Sequence, residues 1–125
     1  MYKIEKIGEN IFYIKILGTM PPSVAQRFVK DFKEITDELN NFSSIVDGLD
    51  LIILNLESFK IILDFLKSIN QKLIKSAYTL GKSPVLNKEA QILLERARSE
   101  KRKIVENLDE AKEWIGINEI IFQKE

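Results

Sequence analysis

Short apolar runs alternate with stretches of helical periodicity along this chain, and that alternation constrains the fold more than any other feature. Residues 2–7 alternate moderately through Tyr2, Ile4 and Ile7, and residues 11–17 are β-branched and aromatic. Gly8-Glu9-Asn10 between them supplies turn chemistry, so the two runs predict an opening β-hairpin. Gly18-Thr19-Met20-Pro21-Pro22 stops the second strand, because proline cannot continue a central ladder. The next stretch is the clearest helix. At 100° per residue, Val24, Ala25, Phe28, Val29, Phe32, Ile35 and Leu39 fall within roughly 140° of arc, with charged residues opposite. Ser23 and Gln26 make a capping box for it, and Phe28, Phe32 and Ile35 are expected to be buried.

Beyond Asn40-Asn41 the alternation continues. Residues 42–48 read as a strand entering a turn, and residues 49–54 as either a second strand or an apolar loop, which periodicity alone does not separate. Helices are expected over 56–69, from an Asn87 cap to about Arg98, and from an Asn107/Glu110 cap to Gly116. Short strands are expected at 77–80 and 104–105, with an edge strand in 117–122. The order β-β-α-β-α-β-α-β-α predicts a small α/β fold, a mixed and mostly parallel sheet with an N-terminal hairpin and about four helices. The 125 residues carry no repeat or Pro/Gly/Ser linker and are read as one domain, 1–125.

Composition mainly excludes. Nineteen basic residues balance nineteen acidic ones, which argues against a general nucleic-acid binder. Cysteine and histidine are absent, which removes disulfides, thiol nucleophiles, Cys/His zinc sites and imidazole catalysis. No stretch approaches the ~20 apolar residues of a membrane span, and Met1-Tyr2-Lys3-Ile4-Glu5 does not resemble a signal peptide. The expected location is the cytoplasm. Abundant Ile, Lys, Asn and Glu suit an AT-rich microbial genome.

Individual motifs are weak. Gly81-Lys82-Ser83 imitates the end of a phosphate-binding loop, but Ser76 stands where the earlier glycine belongs. Asp47 and Asp50 around Gly48 carry oxygen ligands suited to Mg²⁺, yet two acids underdetermine a site and also suit a turn. Arg96, Arg98, Lys101, Arg102 and Lys103 read as a solvated helix end, and Trp114 as an anchor for the last helix. No catalytic residue, metal site or cofactor is expected.

The second helix is anomalous. Phe59, Ile62, Leu63, Leu66 and Ile69 form its core stripe, whereas Ile61 and Phe65 widen the apolar arc to roughly 220°, against the ~100° that one core face needs. Either the chain covers the excess itself or a partner does.

These residues together resemble the STAS domains, the anti-sigma factor antagonist and sulfate-transporter domain family, and in particular their divergent stand-alone branch. The resemblance rests on Gly18-Thr19-Met20-Pro21-Pro22 with Ala25-Gln26-Arg27-Phe28, on Val46-Asp47-Gly48-Leu49 ending the third strand, and on Asn107 to Ile115 as the terminal helix. STAS antagonists carry Asp-Ser-Ser-Gly or Asp-Ser-Thr-Gly at the start of the second helix and are phosphorylated on the first Ser. The resemblance implies that Asn55-Leu56-Glu57-Ser58 occupies that motif, which favours residues 49–54 as a loop. Leu56 then stands at the phosphoacceptor position without a hydroxyl. The implied function is a non-enzymatic STAS-like module acting by protein–protein contact or homodimerisation through Leu56, Ile61 and Phe65. The alternative is a small lipophilic-ligand carrier with a pocket under loop 49–54.

Overall fold

The opening hairpin forms as the sequence predicts. In the computed structural model, which describes residues 1–53 and 55–120, β1 (Tyr2–Gly8) pairs antiparallel with β2 (Ile11–Thr19). Asn10 takes the left-handed conformation of the turn at φ 57°. Then come α1 (Pro22–Thr36), β3 (Phe42–Ile53), α2 (Leu56–Ile69), β4 (Leu73–Leu80), α3 (Pro84–Ala97), β5 (Arg102–Val105) and α4 (Leu108–Ile115). The sheet runs β1-β2-β3-β4-β5 in space, parallel from β2 onward.

That order has a mechanical consequence. Three successive crossovers of the same hand, all stepping in one direction, lay their helices on one face of the sheet. Accordingly α1 contacts α2 and α2 contacts α3, while α4 crosses to the other face and packs on β3, β4 and β5. The larger core lies under α1–α3 and includes Phe12, Phe28, Phe32, Phe42, Phe65 and Leu66. The smaller one gathers Ile7, Tyr13, Ile45, Ala77, Val105 and Ala111, with Trp114, Ile117 and Ile120 against it.

Several local expectations need correction. The Ser23/Gln26 box does not form: Pro21 is the N-cap of α1 with no side-chain bond, and Pro22 opens the helix, where a missing N–H costs nothing. Ser83 rather than Asn87 caps α3, its hydroxyl accepting from the Leu86 N–H at 3.3 Å. Asn87 sits inside the first turn and donates to the Gly81 and Ser83 carbonyls at 2.7 and 2.8 Å. Asn107 does cap α4, accepting from the Glu110 N–H at 2.9 Å, and Gly116 ends it at φ 89°. Residues 117–120 form no strand, and residues 121–122 lie outside the described residues.

Two corrections bear on function. Residues 49–53 are not a loop: they prolong β3, paired with the end of β2 through Leu17–Asp50, Gly18–Leu51 and Thr19–Ile53. Residue 54, the last of the expected loop, lies outside the described residues. On α1, Phe28 and Phe32 are buried as expected, but Ile35 is 40% exposed. It faces Tyr2 and Ile4 of β1, where the sheet ends and no further element covers the helix flank. Thr36 is buried instead, its hydroxyl donating to the Phe32 carbonyl at 2.8 Å.

Phe32→Ala should therefore cost about 3–5 kcal/mol, whereas Ile35→Ala should cost less than ~1 kcal/mol, both read from urea unfolding. The hydroxyl of Tyr2 donates to Asp31 across the β1/α1 junction. Burial, then that bond and the Asp31 charge, push its phenol up to about 12 from the ordinary 10.0. A folded value above the unfolded one means stability that is complete below pH 10 and is lost as pH rises towards 12. Tyr2→Phe should flatten the decline in stability across that window, measured by unfolding at pH 9, 10.5 and 11.5.

Candidate functional site

The carboxyl ends of parallel strands are where open α/β sheets place ligands and partners. Here that edge is built from the distal end of β3, the 18–22 turn, and the first turns of α2 and α3. Asn55 caps α2 with its side-chain oxygen on the Ser58 N–H at 2.9 Å. The Ser58 hydroxyl donates to the Met20 carbonyl and is fully buried, tying α2 to the turn before α1. Gly81 after β4 passes so close to β3 that an added Cβ would lie 2.9 Å from the Leu49 carbonyl oxygen.

This scaffold presents an apolar rim. Beyond Gly48, β3 pairs with β2 but no longer with β4, and Leu49 and Ile52 on that stretch are exposed. Ile52 is 68%, Leu56 70% and Val85 66% exposed. Large aliphatic side chains in the open at one sheet edge form the kind of patch that marks a binding surface.

The residues expected to carry partner binding are thus separated. Leu56 lies on the rim and Ile61 is half-buried. Phe65 is 4% exposed and packs edge-on against Phe28 and Phe32 of α1, at ring distances of 6.2 and 5.8 Å. Phe65 is therefore a buried contact between α2 and α1 rather than a surface residue: α2 is the middle helix of three, so a neighbouring helix covers the flank that one sheet face would leave bare. The rim residues Ile52 and Val85 went unnoticed in the sequence, since single aliphatics at element ends carry no periodic signal.

Other candidates resolve locally. The carboxylate of Asp47 accepts from the Tyr13 hydroxyl and from the Leu49 N–H at 3.1 Å, on the α4 face. Burial, then that bond and the Asp47 charge, raise the Tyr13 phenol strongly. Asp50 instead pairs with Lys15 at 3.6 Å. Among the described residues no group of three or more acidic side chains is placed to hold a metal. Ser83 of the Gly81-Lys82-Ser83 run is occupied as a helix cap. Trp114 anchors α4 as expected, donating to the Lys101 carbonyl at 3.3 Å beneath the ammonium groups of Lys75 and Lys103.

The basic cluster holds one surprise. Arg102 is not solvated but 8% exposed, in the core between β5 and the carboxyl end of α2. It donates to the Tyr78 hydroxyl at 2.6 Å, and to the Leu66 carbonyl and the Asn70 side-chain oxygen at 3.0 Å. Arg102 is among the residues around a cavity of about 100 Å³ between the sheet and the α1–α3 layer. Ile14, Val46, Leu51, Phe65, Leu80 and Leu93 supply much of its wall, and the surface it presents is almost wholly apolar although Ser44, Tyr78 and Glu89 border it.

Solved structures that share this architecture include the following two. An uncharacterised protein of the DUF3478 family from Shewanella loihica, described as having a SpoIIAA-like fold, matches with a TM-score of 0.70 at 13% identity over 92% of each chain. The anti-sigma factor antagonist SpoIIAA in its unphosphorylated form matches with a TM-score of 0.59 at 11% identity, over 90% of this chain and 96% of that one. No family model matches the sequence, and no curated protein matches it. The chain thus has the SpoIIAA-like α/β fold, and the STAS resemblance read from the sequence holds at the level of the fold. No helix among the described residues is long and apolar enough to cross a membrane.

The burial of Ser58 has a direct consequence. Ser58→Asp places an unpaired charge under Met20 and should destabilise by roughly 3–5 kcal/mol. Urea unfolding showing less than ~1 kcal/mol would mean that this hydroxyl is accessible and open to modification.

Proposed function

We propose that this chain is a non-enzymatic, STAS-type binding module of the cytoplasm, which docks a protein partner or a second copy of itself through the carboxyl edge of its sheet. The observation that carries this reading is the exposure of Ile52, Leu56 and Val85 around the start of α2. A fold shared with an anti-sigma factor antagonist, a protein named for its action on another protein's regulator, supports it. The lack of histidine and cysteine supports a role in binding rather than catalysis. Ile61 contributes at most from the flank of the surface.

The cavity beneath the rim favours a second reading, a carrier of a small lipophilic ligand. Its roof is then the paired end of β3, with Leu51 facing in, in place of a free loop.

A photo-reactive residue replacing Leu56 tests the docking reading, with the same residue at Lys33 on the outer face of α1 as control. Cross-linking in cells to one defined protein, or to the chain itself, from position 56 alone is the expected result. Leu56→Asp should abolish that association and leave the circular dichroism spectrum unchanged, because a charge in a dry interface must be desolvated. Equal labelling from both positions would sink the proposal.

A further inference from the structure

The strand β1 is a lateral edge of the sheet, and among the described residues no strand pairs with its outer side. The phase of its ladder to β2 is fixed at the start, where the backbone groups of Met1 and Leu17 exchange both bonds, at 2.8 and 3.1 Å. Antiparallel pairs alternate between those that exchange bonds and those that do not. Lys3 and Glu5 therefore bond inward, to Lys15 and Tyr13, while Tyr2, Ile4 and Lys6 turn their N–H and C=O groups outward. Such an edge is a template for one more strand. The side chains alternate as well. Tyr2 and Ile4 belong to the α1 face and Ile7 to the α4 face, so Lys6 joins the first set and Lys3 and Glu5 the second.

The charges of this edge are not matched within the chain. Among the described residues Lys3, Glu5 and Lys6 form no salt bridge. Lys3 stands opposite Lys15 in the ladder, and Lys15 pairs with Asp50, so Lys3 meets a like charge on its inner side. On the other face, Tyr2, Ile4, Asp31, Glu34 and Ile35 form a shallow groove with two carboxylates, and Ile35 is 40% exposed. This edge runs along the side of the sheet, with β2 between it and β3, and is separate from the aliphatic rim around Leu56.

We infer that β1 pairs antiparallel with β1 of a second copy of this chain, centred on Ile4, to make one continuous sheet across a two-fold axis. Outward-facing residues must meet outward-facing residues, so the possible registers differ by two residues. A shift one way sets Lys3 against Lys3, and a shift the other way sets Glu5 against Glu5. The register centred on Ile4 sets Lys3 of each copy against Glu5 of the other. Those pairs exchange no backbone bonds, which brings their side chains closest, with Cα atoms about 4.5 Å apart. Ile4 meets Ile4 and Tyr2 meets Lys6, and these outward pairs supply about six backbone bonds. On the α1 face, Lys6 of the second copy comes beside Tyr2 and the groove that holds Asp31 and Glu34, while the two Ile35 side chains flank the junction. A two-fold interface requires a self-complementary patch of this kind. Lysine on an edge strand ordinarily discourages pairing; in this register the same sequence in the second copy supplies an acid opposite Lys3 and near Lys6.

Sedimentation velocity of the full chain, from micromolar to sub-millimolar concentration, tests the pairing, and a monomer–dimer equilibrium is expected. Lys3→Glu and Glu5→Lys each set like charges opposite one another and should weaken the dimer at least about tenfold, and the two combined in one chain should restore it. Ile4→Pro removes an N–H that faces outward, so it should abolish the dimer and spare the ladder to β2. Should that variant lose its circular dichroism signal, the charge variants decide together with a cross-link. The chain has no cysteine, so a mixture of Lys3→Cys and Glu5→Cys chains should form disulfide-linked dimers far faster than either variant alone. A monomer at every concentration overturns the proposal, as does a dimer indifferent to the substitutions in β1. Dissociation by Leu56→Asp, with the β1 variants still dimeric, moves the self-contact to the rim and also overturns it. Failure of the double charge reversal to restore the dimer, without preferential cross-linking in the mixture, overturns the register.

Discussion

Five phenylalanines, Phe12, Phe28, Phe32, Phe42 and Phe65, meet between the sheet and the first two helices, and the arrangement of α1 and α2 depends on that meeting. Phe32 is the hub: it stacks on Phe28 and meets Phe12, Phe42 and Phe65 edge-on, with ring centroids 5.4–5.8 Å apart. Edge-on contacts place the positive rim of one ring against the negative face of the next, adding directional preference to the area that large rings bury. The cluster joins β2, β3, α1 and α2, so it sets how α2 lies beside α1 and how deep α2 sits.

The rest follows from winding. A sheet that steps one way across its parallel strands puts three helices in a row, and the middle one is covered on both flanks. Its apolar arc must be wide. Phe65 reads on a helical wheel as surplus, but here it is the contact between two helices of one layer. The same winding leaves the strand ends and helix starts together at one edge. There β3 outruns β4, and the aliphatic side chains Leu49 and Ile52 beyond the last β4 pair are exposed.

Beneath that edge the layer is imperfectly filled. Arg102 borders that gap. Its placement is coherent only with the neighbouring helix end. The carbonyl of Leu66 and the side chain of Asn70 supply acceptors, and the negative end of α2 supplies the potential. The surface ion pairs Lys15–Asp50 and Lys112–Asp109 are exposed and contribute little by comparison.

Most of the element order was legible in the sequence, because hydrophobic periodicity and the residues at helix ends are local properties. The α1 stripe, the Asn107 cap, Gly116 and the opening hairpin all depend on neighbours within a few positions. Ser23 and Asn87 misled because each helix begins earlier than expected, at a proline whose fixed φ suits the first helical position: α1 starts at Pro22 behind Pro21, and α3 at Pro84 behind the Ser83 cap. The strand over residues 49–53 was hidden because its ladder partner is β2, some thirty residues earlier in the chain. What the sequence by itself determined was the α/β class and the faces of its isolated helices. Only the tertiary structure decided that Phe65 turns inward, that Leu56 joins Ile52 and Val85 on one edge, and that Arg102 leaves its basic neighbours for the core. Each of those outcomes depends on groups distant in the chain that meet only once the sheet is wound.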